Sequence, residues 1–169
     1  MRSGVTVFIP LYNEETILKK NVFKLVEYLV PLDRPYQIIL GSNGSTDSTA
    51  EIGRELDLQH PNITFFHLPL RGPGLAFAEA VKRAGYPYFL CLDADLSIDL
   101  DFISYAIKAL QDHDAVVGSK QVGNQKRPFY RIIASDIFIA FTKRLLKLPY
   151  RDYAIGAKAY RTGAIRPLL

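Results

Sequence analysis

The chain has 169 residues, of which 49% are hydrophobic and 22% are charged, as expected of one globular domain. Its 21 Lys and Arg residues exceed its 17 Asp and Glu residues, and the formal charge of +4 is too small for a nucleic-acid coat protein, so it favours small anionic ligands or an anionic surface. A single cysteine, Cys91, excludes an internal disulfide, and no apolar run reaches the roughly 20 residues of a membrane span. We therefore expect a cytoplasmic domain with no nucleic-acid partner and with Cys91 as a buried, inert thiol.

Short apolar runs alternate along the chain with segments of helical periodicity. The runs predict strands at 5–9, 36–40, 63–67, 88–92 and 115–118, and a last strand contains 157–160. Apolar residues at helical spacing predict helices at 18–29, 48–56, 74–84 and 100–110. The second of these helices opens on Ser48 and Glu51, which have the spacing of a capping box. The alternation predicts an α/β fold with a mostly parallel sheet sandwiched between helices.

Polar segments follow the first four predicted strands. They are 10–14 (PLYNE), 41–47 (GSNGSTD), 70–74 (LRGPG) and 93–95 (DAD). Each segment alone is explained by a turn and a helix cap, a role we predict for Asn13, Ser45 and Asp47 in any case. Ligands of such sheets bind beyond the carboxyl ends of the strands, so the four segments together predict a binding site at that edge.

The acidic pair Asp93 and Asp95 comes directly after the apolar strand predicted at 88–92. Two carboxylates this close repel each other, and without a cation one of them tends to be protonated. A hard divalent ion such as Mg²⁺ or Mn²⁺ takes carboxylate oxygens and can bridge to a diphosphate. A capping role in the next helix explains an isolated Asp-x-Asp equally well, but the position at a strand end favours the metal.

Other nucleotide-binding and hydrolytic motifs are absent from the sequence. The turn after the first strand lacks Gly-x-Gly-x-x-Gly, and there is neither a P-loop nor a Gly-x-Ser-x-Gly elbow. The histidines His60, His67 and His113 do not have the spacing of zinc ligands. These absences argue against dehydrogenase, kinase and hydrolase functions.

The four polar segments, in this order and at these spacings, resemble the nucleotide-sugar-binding half of the inverting glycosyltransferases of family 2, which have the Rossmann-like GT-A fold. The resemblance runs from Val5 to about Tyr160. Within the family, the chain is similar in particular to polyprenyl-phosphate sugar transferases such as dolichyl-phosphate mannose or glucose synthases. It implies a UDP- or GDP-sugar as donor and a DXD motif in which Asp93 and Asp95 hold Mg²⁺ or Mn²⁺ on the diphosphate. The nucleotide-sugar-binding residues that it implies are Pro10, Tyr12, Glu14, Ser42, Asn43, Asp93, Ala94 and Asp95.

The resemblance also implies a phosphate acceptor. Lys120 follows Gly118 and Ser119 where the family has Gly-Ser-Arg, and Arg131 and Ser135 fall where lipid-phosphate transferases bind the acceptor phosphate. A polyprenyl phosphate is already anionic and needs positioning rather than a general base, so Lys120 and Arg131 join Asp95 as the predicted catalytic residues. A solvated basic surface is the alternative explanation for Lys120 and Arg131.

The segment 129–148 combines apolar and basic residues. This composition predicts peripheral contact with a membrane interface, and partial burial in the core is the alternative.

The sequence departs from the family pattern in three places. Ser42 and Asn43 stand where the second loop usually has two aspartates, Pro73 replaces a lysine of the third loop, and Ser97 stands where mannose-type relatives often have a glutamine. The chain ends at Leu169, so we expect residues 1–169 to form a single GT-A domain without the usual C-terminal extension. Two alternatives stay open: transfer to a soluble or glycan hydroxyl, with Asp152 as a candidate general base, or a degenerate nucleotide-sugar-binding module without turnover.

Overall fold

The computed structural model describes residues 3–118 and 157–169. The strands are β1 (Val5–Leu11), β2 (Tyr36–Asn43), β3 (Ile63–Leu68), β4 (Tyr88–Cys91), β5 (Ala115–Val117) and β6 (Lys158–Arg161). The helices are α1 (Leu18–Leu29), α2 (Thr49–Gln59), α3 (Pro73–Arg83), α4 (Asp101–Ala109) and the short α5 (Thr162–Ile165). Short 3₁₀ turns follow α1 at Val30–Leu32 and α5 at Arg166–Leu168.

The strands form one six-stranded sheet in the order β3-β2-β1-β4-β6-β5. Strands β1 to β4 are parallel, whereas β6 runs antiparallel to both of its neighbours, β4 and β5. The predicted mostly parallel α/β sheet is therefore confirmed. Because β6 runs against β4, its first residue lies at the edge where the parallel strands end.

Strand β2 extends three residues beyond the predicted end at Leu40. Residues Gly41, Ser42 and Asn43 pair with Phe66, His67 and Leu68 of β3. A glycine and two polar residues are poor strand formers by themselves, so pairing with β3 decides their conformation. The second polar segment consequently begins inside the sheet and not in a loop.

Helices cover both faces of the sheet because the strands are apolar on both faces. Val7 and Ile9 of β1 belong to the larger cluster of buried side chains, which includes Leu25 of α1 and residues of α2 and α4. Phe8 points to the other face, where a smaller cluster includes Ala80 of α3 and Phe89 of β4. The rings of Phe8 and Phe89 stack at 6.1 Å between centroids. This packing fixes β1 and β4 side by side at the centre of the sheet.

The helix starts differ from the predicted caps. Helix α1 begins five residues after Asn13, whose φ of 56° is left-handed, and the N-cap position is Ile17. Ser48 precedes α2 as predicted, but its side chain forms no capping hydrogen bond, so the predicted capping box is wrong. The capping roles of Asn13 and Ser45 are wrong as well, because both side chains bond across to another loop. Only Asp47 caps locally, with Oδ1 accepting from Thr49 N at 3.0 Å.

Candidate active site

The loop after β1 and the loop after β2 are joined by reciprocal hydrogen bonds at the carboxyl edge of the sheet. Asn13 N donates to Ser45 Oγ at 3.2 Å, and Thr46 N donates back to Asn13 Oδ1 at 2.8 Å. Two residues after Asn13, Glu15 N donates to Asp47 Oδ2 at 3.2 Å. Paired bonds of this kind satisfy backbone groups that no helix or strand would satisfy, so the two loops stabilise each other.

The start of α2 is completed by the loop after β1 in the same way. Glu14 N donates to Thr49 Oγ1 at 2.8 Å, and Ser48 N donates to Glu15 Oε2 at 2.9 Å. The first N–H groups of a helix have no acceptor within the helix. Here the carboxylates of Glu15 and Asp47 accept hydrogen bonds from these groups. The carboxylates of Glu15 and Asp47 are thus used to build the loops.

Ser42 and Asn43, two of the predicted nucleotide-binding residues, are buried at the end of β2. Ser42 Oγ donates to Ser45 Oγ at 2.9 Å and lies 3.0 Å from His67 Nδ1 on β3. Asn43 Nδ2 donates to Leu11 O at 2.9 Å. Both side chains therefore have partners within the protein, and their contact with a nucleotide stays a prediction.

Tyr12, the first residue after β1, lies at the surface of the edge and is 39% exposed. The guanidinium carbon of Arg71, from the loop before α3, lies 4.1 Å from the centroid of the Tyr12 ring. Gly44 brings this third loop close, since its φ is +75° and a Cβ there would lie 2.9 Å from Arg71 N. Pro10 remains within β1 and is only partly exposed. Arg71 and Tyr12 thus form a stacked, positively charged flat surface beside the joined loops.

Asp93 and Asp95 lie where the sequence predicts them, just beyond β4 and exposed to solvent. Between them Ala94 is buried, and its carbonyl accepts a hydrogen bond from Asn21 Nδ2 at 2.8 Å. Leu96 has a left-handed φ of 44° and is buried. Buried alternate residues anchor the segment and leave the two carboxylates facing outward. Asn21 of α1 is a supporting residue that sequence reasoning missed, because nothing in a helix pattern marks one polar residue as a partner of a remote carbonyl.

Negative charge accumulates around Asp95 and Glu14. Partial burial raises the pKa of Glu14 above its ordinary value of 4.5, and the charges of Asp95 and Asp47 raise it further. Asp47 behaves differently: desolvation raises its pKa, but hydrogen bonds from the Thr49 side chain and from the Thr49 and Glu15 N–H groups outweigh this and lower it. A bound cation would relieve the repulsion that Glu14 experiences.

The acidic pair fits a divalent metal that is shared with a ligand. Within residues 3–118 and 157–169, no three His, Cys, Asp or Glu side chains are grouped so as to hold a metal ion by themselves. Mg²⁺ is usually bound by one or two carboxylates together with water and substrate phosphates. Asp93 and Asp95 can supply that number of protein ligands, and the charge around Glu14 gives the site the sign that a cation needs.

Lys158 is a second residue of this edge that the sequence analysis did not single out. It is the first residue of β6 and lies opposite Cys91 in the antiparallel pair of β6 with β4. Burial raises the pKa of the Cys91 thiol to about 12, with Asp93 adding to this and Lys158 opposing it. Cys91 is half-buried, not buried as predicted, and it is protonated at neutral pH, in agreement with the prediction of an inert thiol. A lysine within a strand carries no local signal of this position.

Several predicted residues lie outside the part of the chain that the structure describes. They are Lys120, Arg131, Ser135 and Asp152, together with the apolar and basic segment 129–148. Their roles at an acceptor site and at a membrane stay predictions. Among the described residues, no helix has both the length and the apolar character needed to cross a membrane.

The fold and its acidic edge define the class of protein. A solved structure of the same fold is the mannosyltransferase PcManGT from Pyrobaculum calidifontis in complex with GDP-Man and Mn²⁺. Its TM-score is 0.70 at 23% identity, with 99% of this chain and 47% of that chain covered. The sheet with its covering helices is thus the GT-A fold of the glycosyltransferases.

The family profile described as "Glycosyl transferase family 2" matches residues 6–169, and the chain belongs to this family. The poly-beta-1,6-N-acetyl-D-glucosamine synthase of Staphylococcus epidermidis is 32% identical over 126 residues, which are 72% of this chain and 30% of that protein. The undecaprenyl-phosphate 4-deoxy-4-formamido-L-arabinose transferase of Photorhabdus laumondii is 28% identical over 167 residues, which are 98% of this chain and 51% of that protein. The chain thus spans about half or less of the length of these relatives.

Proposed function

We propose that residues 1–169 form a single GT-A domain of an inverting glycosyltransferase, which transfers a sugar from a UDP- or GDP-sugar to a polyprenyl phosphate. The observation that carries this proposal is the exposed pair Asp93 and Asp95 at the end of β4, held by Asn21 and set beside Glu14. The donor class is supported by the PcManGT structure, which contains GDP-Man and Mn²⁺. The acceptor class is supported by the Photorhabdus laumondii relative, whose name includes undecaprenyl phosphate.

On the donor side, Asp93 and Asp95 would hold Mg²⁺ or Mn²⁺, and the stacked Tyr12 and Arg71 offer a flat surface for the nucleotide. When bound, the metal supplies a positive charge on the departing diphosphate. Asn21 positions the acidic segment through the Ala94 carbonyl, so the backbone that carries the two carboxylates is held without a ligand. The joined loops after β1 and β2 keep Glu14 and Tyr12 at fixed places on the same edge.

On the acceptor side, an oxygen of the lipid phosphate forms a bond to the anomeric carbon while the bond from that carbon to the diphosphate breaks. The nucleoside diphosphate leaves with the electron pair, and the configuration at the carbon inverts. The acceptor oxygen is already anionic near neutral pH, so no side chain has to remove a proton. We assign the orientation of the acceptor phosphate to Lys120, Arg131 and Ser135.

A second candidate is transfer to a soluble or glycan hydroxyl. It is favoured by the relative from Staphylococcus epidermidis, whose name is that of a polysaccharide synthase. A neutral hydroxyl has to lose a proton during the transfer, so this function needs a general base, for which Asp152 is the candidate.

Transfer of label from radioactive UDP- and GDP-sugars separates these functions. The chain is incubated with Mn²⁺ and either a polyprenyl phosphate or a soluble glycan, and a parallel sample contains EDTA. We expect labelled polyprenyl-phosphate sugar with one donor, and none in EDTA. Label in the glycan would replace the proposed acceptor with the second candidate. Donor binding without transfer to either acceptor would contradict an enzyme function and favour a binding module.

A further inference from the structure

The position of Lys158 follows from the pairing of β6 with β4. Lys158 lies opposite Cys91 across this antiparallel pair, and opposite side chains of such a pair stand on the same face of the sheet. Cys91 and Tyr160 both pack against the smaller apolar cluster, on the α3 face. The Tyr160 ring lies 5.8 Å from the ring of Phe77 in α3. Because side chains alternate along a strand, Lys158 shares the face of Tyr160, at the carboxyl edge of β4.

This position brings a cation next to the acidic pair. Asp93 follows Cys91 by two residues, so Lys158 lies level with the last residue of β4 and beside the start of the acidic segment. Lys158 is half-buried. Within the described ranges of the chain, it takes part in no salt bridge. Its ammonium group therefore places a positive charge at this edge, where an anionic ligand beside the acidic segment would meet it.

Arg71 and Lys158 lie at different places along this edge and differ in the geometry of their charged groups. Arg71 stacks on Tyr12, at the end of β1, and a guanidinium in that arrangement serves a flat ring. Lys158 belongs to β6, which lies on the opposite side of β4 from β1. Its compact ammonium group is suited to bind a single phosphate oxygen. The acidic pair lies between these two cations along the sheet.

We infer that Lys158 is a phosphate-binding residue of the transfer site, which contacts an anionic phosphate oxygen on the β6 side of Asp93 and Asp95. This inference rests on the proposed function. The phosphate can come from two sources with the same chemistry, the diphosphate of the donor or the phosphate of the lipid acceptor. A lysine here neutralises charge that a metal held by two carboxylates leaves on the phosphates.

The test compares Lys158→Met with Lys158→Arg, and uses Lys82→Met as the matched control, because Lys82 is exposed in the last turn of α3. Calorimetry with UDP and GDP in the presence of Mn²⁺ measures the Kd of the nucleotide, which tests whether Lys158 contacts the diphosphate of the donor. Initial rates at increasing concentrations of polyprenyl phosphate measure the KM of the acceptor, which tests whether Lys158 contacts the phosphate of the lipid. Lys158→Met is expected to raise either the nucleotide Kd or the acceptor KM by about 10- to 100-fold. Lys158→Arg should restore most of the loss, and Lys82→Met should change neither quantity.

The two measurements keep the inference separate from the proposed function. If no acceptor receives sugar, the proposed function fails, but a weaker nucleotide Kd in Lys158→Met still supports phosphate binding. The inference is overturned if Lys158→Met changes neither the Kd nor the KM while its thermal midpoint equals that of the unsubstituted chain. It is equally overturned if the loss is accompanied by a lower thermal midpoint and Lys158→Arg restores the midpoint without restoring affinity.

Discussion

The loops after β1 and β2 differ from the segment after β4 in how they use their carboxylates. In the first region, Glu15 and Asp47 accept hydrogen bonds from backbone N–H groups of Ser48, Thr49 and Glu15 itself. In the second region, the backbone is held by buried alanine and leucine side chains and by Asn21, while Asp93 and Asp95 are exposed. Glu15 and Asp47 therefore stabilise the fold, whereas Asp93 and Asp95 lie exposed at the edge where we propose that the donor binds. Substitutions in the two regions should separate activity from stability.

The largest effect is expected for Asp95→Asn. Under the proposed function Asp95 holds the metal on the departing diphosphate, and its loss would remove several kcal/mol of stabilisation, so sugar transfer should fall by more than about 100-fold. Thermal stability should not fall, because among the described residues the Asp95 carboxylate accepts a local bond from Ser97 N and its charge repels that of Glu14. The control is Asp99→Asn, which changes an exposed carboxylate farther along the same loop. Unchanged transfer in Asp95→Asn would show that this residue does not hold a metal.

Gly44→Ala tests the close approach of the third loop. A left-handed φ of +75° and a Cβ at 2.9 Å from Arg71 N make alanine both strained and crowded. We expect the free energy of unfolding to fall by about 2 to 4 kcal/mol in urea denaturation. Gly74→Ala is the control, since a Cβ there meets no atom within 4 Å. An equal effect of both substitutions would mean that the approach of Gly44 to Arg71 is not what alanine disturbs.

Thr49→Val tests the bonds between the first two loops. Valine keeps the shape of the buried side chain but removes the acceptor of the Glu14 N–H, which should cost about 1 to 3 kcal/mol of unfolding free energy. Thr46→Val is the control, because Thr46 is exposed and contributes its backbone N–H to the bond with Asn13. Equal stability of the two variants in urea denaturation would contradict a structural role of the Thr49 hydroxyl.

The smallest effect is expected in the pH dependence of stability. The raised pKa of Glu14 means that the folded state binds its proton more tightly than the unfolded chain does. This stabilisation is complete below the ordinary pKa of 4.5 and is lost as the pH rises through the folded pKa. Glu14→Gln should therefore gain stability relative to the unsubstituted chain near neutral pH and not below pH 4.5. Urea midpoints at both pH values measure this, and the gain should shrink in an Asp95→Asn background. A gain that is the same at both pH values would contradict it.

Local patterns were sufficient for the elements that depend on local periodicity. The apolar runs of β1, β3 and β4 and the helical spacing of α1 and α4 predicted these elements to within a few residues. The Asp-x-Asp segment was predicted at the correct edge because an apolar strand directly precedes it. The caps of α1 and α2 were predicted wrongly, since Asn13 and Ser45 bond to each other's loops and Glu15 replaces the Ser48 side chain at α2.

The sequence by itself determined the α/β class, the positions of the first five strands along the chain, the family and the acidic pair, because each of these depends on residues close together in sequence. Only the tertiary structure decided that β6 runs antiparallel between β4 and β5, that β2 continues through Ser42 and Asn43, and that Asn21 holds Ala94. These features depend on pairs of residues far apart in sequence, such as Cys91 with Lys158, whose contact forms only when the whole sheet assembles.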